Sequence, residues 1–246
     1  MLKLLTHNFL NAMKSTSLVS AIVLSIVVLL PAKAFAGAEQ NNGVWMMTAS
    51  QGVLGKSDSP YRWWFDAHAR YSDDANDFEQ SILRPGVGYS LGNNHTVFLG
   101  YGWIGNSPEI GDEFYEHRLW QQHSWKTSFG KFGFSSRSRL EQRFMEERGG
   151  ETGWRFRQNF KLTHPLGTNT RFYWSTWDEV FLNLNDTDWG ANNGLDRNRI
   201  FAGIGWKPNS LDYFKAEVGY LNQFIYRESA TDRMDHLLSL NVFFNF

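Results

Sequence analysis

From residue 61 to the C-terminus, apolar and polar residues alternate with a period of two, the signature of strands with one apolar and one polar face. In 61–71, Trp63, Phe65, Ala67, Ala69 and Tyr71 share one face; Arg62, Trp64, Asp66, His68 and Arg70 share the other. In 132–144, Phe132, Phe134, Leu140 and Phe144 oppose Arg137, Arg139, Glu141 and Arg143. Residues 154–162 set Trp154, Phe156, Phe160 and Leu162 against Arg155, Arg157, Asn159 and Lys161. Ile200, Ala202, Ile204 and Trp206 oppose Arg197, Arg199, Gly203 and Gly205, and Phe214, Ala216, Val218 and Tyr220 oppose Lys215, Glu217 and Gly219. A helix repeats every 3.6 residues and cannot produce this pattern. Several segments reach the roughly 9–11 residues that a tilted strand needs to cross a bilayer.

The connections alternate as well. Tight ones, at Gly92-Asn93-Asn94, Phe129-Gly130-Lys131, Pro165-Leu166-Gly167-Thr168 and Pro208-Asn209-Ser210, separate longer polar stretches near Asp73-Asp74 and over 106–112, 146–151, 185–196 and 228–235. Short turns on one side and long loops on the other are the habit of transmembrane barrels. A soluble β-sandwich is the alternative, but it rarely carries rows of Arg on the second face of nearly every strand. The last strand favours the barrel further. Leu238, Leu240, Val242, Phe244 and Phe246 alternate up to a terminal Phe, which resembles the signal by which bacterial outer-membrane barrels are recognised for assembly; Leu240, Val242, Phe244 and Phe246 form that candidate signal. The fold class expected is all-β: an antiparallel transmembrane barrel of about ten strands over 61–246, or twelve. The piece 43–50, within the leader 37–60, is strand-like but breaks an even count.

The N-terminus reads as an address. Leu18 to Leu30 is an apolar run of 13 residues, too short for the roughly 20 of a spanning helix. It follows Lys14 and precedes Pro31 and Ala34-Phe35-Ala36, a small-x-small cleavage pattern. Residues 1–36 are therefore expected to be a cleaved signal peptide, with Met1 or Met13 as its start; the other reading is an N-terminal anchor. No Cys follows, so a lipoprotein is excluded. Removing 36 of 246 residues leaves 210, and losing Lys3, Lys14 and Lys33 leaves 21 basic residues against 25 acidic.

Composition agrees with this picture. Aromatics reach 16% while mean hydropathy is only −0.43, which fits an apolar outer face and a polar lumen and not a bundle of membrane helices. With 0 Cys, disulfides and thiolate metal sites are excluded. Tyr61, Trp63, Trp103, Trp125, Trp174 and Trp206 lie near strand ends and suit interfacial girdles, or else carbohydrate stacking.

Charge is segregated: the acidic residues fall mainly in loops, and the inward set is basic. It includes Arg62, Arg70, Arg84, Arg118, Arg171 and Lys215, against Asp66, Glu116, Glu141, Glu179 and Glu217 as ion-pair partners. Three strands carry Arg-x-Arg, at Arg137/Arg139, Arg155/Arg157 and Arg197/Arg199, with the two guanidinium groups on one face roughly 6–7 Å apart. With Arg118 and Arg143 these eight are the candidate anion contacts, because Arg meets carboxylates and phosphates with paired donors. The alternative is a structural plug, since side chains alone fill small barrels.

In order along the chain, Leu83-Arg84-Pro85-Gly86-Val87-Gly88-Tyr89, Glu116-His117-Arg118, Leu140-Glu141-Gln142-Arg143-Phe144, Asp178-Glu179 and Asn198-Arg199 resemble a Gram-negative domain-of-unknown-function family, number 2490, expected to form short outer-membrane barrels. The resemblance runs roughly from Trp45 to the C-terminus and implies no activity or catalytic residue. A looser likeness, in size and basic lumen only, is to small porins for acidic oligosaccharides.

No catalytic constellation, cofactor motif or metal-ligand cluster is found. His123 and Ser124 are neighbours and so face opposite ways on a strand; Asp66 and His68 share the lumen without an evident Ser. The Gly at 86, 88, 100, 102, 203, 205 and 219 suit a crowded lumen. The functional expectation is an outer-membrane barrel acting as a narrow anion-preferring channel; alternatives are a non-conducting structural or surface-interaction barrel, and a lipid-modifying enzyme. The expected partners are outer-membrane lipid, lipopolysaccharide and the barrel-assembly machinery, with no nucleic acid and the chain a monomer.

Overall fold

A computed structural model describes residues 37–108, 111–168, 170–228 and 230–246. The chain divides into two units, Met1–Ala38 and Glu39–Phe246. The expected signal peptide over 1–36 lies outside the described residues.

The second unit is a closed barrel of eleven strands: β1 (Glu39–Val53), β2 (Tyr61–Ser72), β3 (Asp77–Gly92), β4 (His95–Asn106), β5 (Phe114–Phe129), β6 (Phe132–Phe144), β7 (Gly153–Pro165), β8 (Phe172–Asn183), β9 (Gly194–Trp206), β10 (Phe214–Ile225) and β11 (Arg233–Asn245). Ten of them, β2 to β11, are the alternating segments, paired antiparallel in sequence order. The strand-like piece that broke the even count is the eleventh. It pairs antiparallel with β2 and parallel with β11, so Glu39 sits beside Arg233 and Gln51 beside Asn245.

Tight turns gather at one rim. The two-residue loop Asn93-Asn94 has φ of 49° and 65°, the doubly positive conformation that suits the right-handed twist of a hairpin. At the opposite rim lie the longer connections. Two of them are tied together: the Asp188 carboxylate accepts from the backbone N–H of Gly150 (2.9 Å) and Glu151 (3.3 Å), and Trp189 Nε1 donates to the Glu151 carbonyl (2.7 Å). The connection at Asp73-Asp74 is shorter than expected, a single 3-10 turn over Asp73–Ala75.

The alternation sorts as the two faces require. Outside, Leu83, Val87, Leu99, Leu119, Val218 and Leu238 form an exposed apolar belt. Aromatic rings flank it: Tyr61 against Tyr89, Trp206 against Phe214 and Phe246 against Tyr213 towards the turn rim, and Tyr71 against Phe78 and Trp103 against Tyr115 towards the loop rim. Polar groups on the outer face satisfy one another, as in the reciprocal amide pair Gln121–Gln142 (2.9 and 3.0 Å). Inside, Trp45, Phe201, Leu221 and Leu237 from β1, β9, β10 and β11 pack into a small apolar core, with Trp177 against it. Trp120 lies flat across β3 and β4 in space that glycines vacate; a Cβ on Gly100 would stand 2.1 Å from its ring.

Candidate functional site

The inward carboxylates and guanidinium groups of strands β5 to β9 join into one network. Glu116 on β5 accepts two bonds from Arg118 (2.6 and 2.7 Å) and two from Arg143 on β6. Glu141 is fully buried and takes Arg155 and Arg157, each at 2.7 Å, with Arg118 and Arg139 at 3.9 Å. Glu179 on β8 receives Arg137 and Arg157 (both 2.8 Å). Asp196 receives Arg197 (2.8 Å) and Arg155 (3.3 Å). Aromatic faces fill the spaces: Arg139 lies 4.5 Å over Trp120, and Arg157 lies 4.4 Å over Phe181. Such charges tolerate removal from water because each carboxylate is met by more than one guanidinium, although Arg139 Nη1 is buried without a hydrogen-bond partner, 3.9 Å from Glu141.

The five carboxylates singled out in the sequence thus all face inward and are paired: Asp66 with Arg84 (2.7 Å) and His68 (2.9 Å), and Glu217 with Lys161 (2.6 Å). Of the eight candidate arginines, Arg118, Arg137, Arg139, Arg143, Arg155, Arg157 and Arg197 have a carboxylate within 4 Å; Arg199 has none among the described residues and gives its Nε to Gln223 (2.7 Å). Two inward-facing acids, Asp235 buried and Asp196 half-buried, escape a reading of the sequence. Asp235 falls within a stretch that reads as loop but belongs to β11, where it takes Arg233 and Gln223. Asp196 is turned inward by a register shift beside Phe181, which parity alone cannot foresee.

The layer separates two cups. At the turn rim a cavity of about 1300 Å³ is lined by Lys126, Lys131, Arg171, Lys207 and Lys215 among others, with Asp212 and Glu217 as its acids. It narrows into an inner pocket of about 170 Å³ that shares Trp64, Arg137, Asn159, Lys161 and Phe243 with it and reaches Trp45, Arg70 and Arg199. At the loop rim a cavity of about 500 Å³ lies under Trp189, Arg143 and Arg197.

Among the described residues, the histidines singled out in the sequence pair with groups other than a serine. Strand register places His123 opposite Ser138 on the outer face. There the Ser138 hydroxyl donates to Gln158 (2.6 Å), and the His123 ring bonds to His95 (3.0 Å). His68 is held between Asp66 and Arg84. Among the described residues no group of three or more acidic or histidine side chains could hold a metal ion.

Residues 42–235 match the model of a family described as a protein of unknown function, DUF2490. The chain belongs to the DUF2490 family. An uncharacterized protein of Methylorubrum extorquens is 33% identical to this DUF2490 chain over 230 residues, covering 90% of it and 96% of the relative. No solved structure matches. All the motifs that carried the resemblance fall inside the matched region, and Arg84, Glu116, Arg118, Glu141, Arg143 and Glu179 among them are members of the luminal ion pairs.

Proposed function

We propose that this chain is a barrel of the Gram-negative outer membrane, exported by a signal peptide over 1–36, whose lumen is closed at rest. It serves the envelope as a structural and binding barrel and not as an open pore or an enzyme. An apolar belt between aromatic rings is the outer surface that lipid demands. The observation that carries the closed state is the buried layer from Glu116 to Asp196, in which Glu141, Arg139, Phe181 and Trp120 are all within 1% of complete burial. In this reading the short turns face the periplasm and the tied loops the outside, the terminal Phe246 serves the assembly machinery, and a monomer surrounded by lipid and lipopolysaccharide suffices.

A channel for small anions is the second reading. It is favoured by the basic cup at the turn rim, and it requires the ion-pair layer to part. Single-channel recording of the refolded barrel in a planar bilayer, under a salt gradient, separates the two. A folded barrel that stays silent supports the closed state. Reproducible steps with anion preference, weakened by Arg155→Ala and Arg157→Ala, would replace it with the channel.

A further inference from the structure

Arg70 and Arg199 stand apart from the rest of the lumen. Both are buried, at 8% and 7% exposure, and neither has a carboxylate within 4 Å among the described residues. Arg70 gives Nη1 to Gln80 (2.6 Å), while its Nε is buried without a partner. Arg199 gives its Nε to Gln223. They hold Trp45 between them, with Arg70 at 3.9 Å and Arg199 at 4.8 Å from its ring, and Trp45 Nε1 is also buried without a partner. All three line the inner pocket.

Burying a charge is costly unless an opposite charge meets it, and burying a donor is costly unless an acceptor does. Each of the other buried arginines has a carboxylate of the chain itself within 4 Å. Here two buried guanidinium groups line a cavity whose wall carries Arg70, Arg84, Arg137, Arg157, Lys161 and Arg199 against the carboxylates of Asp66 and Glu179. We infer that the inner pocket is a binding site for a small organic anion, whose carboxylate completes the charge at Arg70 and Arg199.

The rest of the pocket specifies the body of that ligand. Trp64, Trp177 and Phe243 offer flat apolar faces, and Asn159 and Asn241 offer amides. A volume of about 170 Å³ takes a single ring, since a dry cavity of about 150 Å³ holds benzene. The class is therefore a ring-bearing carboxylate. The approach is from the turn rim, where Lys126, Lys131, Arg171 and Lys215 have no ion-pair partner among the described residues and raise the local concentration of anions. The site does not depend on whether the ion-pair layer conducts, so it can fail or hold independently of the closed-barrel reading.

The test is calorimetric titration of the refolded barrel with benzoate and glucuronate, with benzamide and inorganic phosphate as controls. The expected result is saturable binding of at least one ring carboxylate, with benzamide at least about tenfold weaker, the worth of one charge-assisted hydrogen bond. Arg199→Gln and Arg70→Gln should each weaken binding by about tenfold while the barrel keeps its folded mobility on unheated gels. Arg70→Gln serves if Arg199→Gln does not fold. Failure of both ring carboxylates to saturate by about 10 mM, equal binding of benzamide, binding of phosphate alone, or affinity untouched by both arginine variants would each overturn the site.

Discussion

Replacing Glu141 by Gln removes the one charge around which Arg118, Arg139, Arg155 and Arg157 are arranged, and does so without changing the shape of the side chain. Arg155 and Arg157 are both at 2.7 Å, the distance of charge-assisted bonds. Each such bond contributes about 1.5–3 kcal/mol. Glu141 is fully buried, so water cannot substitute for the lost charge, and the two estimates together give about 3–6 kcal/mol. Removal of one member of a buried pair costs about 3–5 kcal/mol, which agrees. The amide of Gln keeps one acceptor oxygen but turns N–H donors towards guanidinium groups, so nothing moves the figure towards zero. Denaturant titration of the barrel refolded in lipid vesicles, read by tryptophan fluorescence, measures the loss. Arg155→Gln should cost less on its own, because Glu141 keeps Arg157, and the double variant should fall short of additivity by about 1–3 kcal/mol. A Glu141→Gln barrel within about 0.5 kcal/mol of the parent would refute the reasoning. The layer would then be hydrated and not buried, and the closed lumen would go with it.

Three further outcomes follow from other parts of the molecule. Gly100→Ala places a Cβ 2.1 Å from Trp120 and 2.5 Å from the Pro85 carbonyl, so it should destabilise the barrel by about 1–3 kcal/mol, with Gly100→Ala/Trp120→Leu recovering part of the loss in the same titration. Val218→Arg, at the middle of the outer belt, should cost about 2–4 kcal/mol in vesicles; a loss below about 0.5 kcal/mol would argue that lipid does not cover this face. Deleting Phe246 removes stacking against Tyr213 (5.3 Å) and Phe244 (6.2 Å) at the turn rim, and should lower the amount of barrel recovered in outer membranes while leaving refolding in detergent intact. Equal recovery in cells would show that assembly does not read this residue.

How legible the fold was depended on whether the two faces of a strand differ in chemistry. On β7, Arg155, Arg157 and Lys161 against Trp154, Phe156 and Phe160 leave no doubt of the period. On β1, inward Trp45, Met47 and Ala49 lie over the apolar core, and outward Val44 and Met46 face the belt, so neither face is polar and the alternation fades. That strand turned the expected ten into eleven. Parity also put Arg and Glu on the correct side of the wall but could not say which meets which. Pairing depends on register between strands, and one shift beside Phe181 suffices to bring Asp196 to Arg155. For the same reason Arg199 could not be told from Arg157 in the sequence: both sit in Arg-x-Arg, yet one is saturated by Glu141 and Glu179 and the other faces a cavity.

The parallel pairing of β1 with β11 bears on how such a wall is completed. Ten strands divide into five hairpins, each of which can cross a bilayer as a loop with both legs returning to the rim it left. An eleventh cannot. In the membrane reading its leading end, at Glu39, has to be carried past the apolar belt to the rim of the tied loops, while Gln51 stays by the last residues of β11. Closure is then a threading step and not the meeting of two hairpins, and it leaves the two ends of the wall on opposite sides of the membrane. A protease site placed ahead of Glu39 would be cut from outside intact cells, and one placed after Phe246 only once the periplasm is opened.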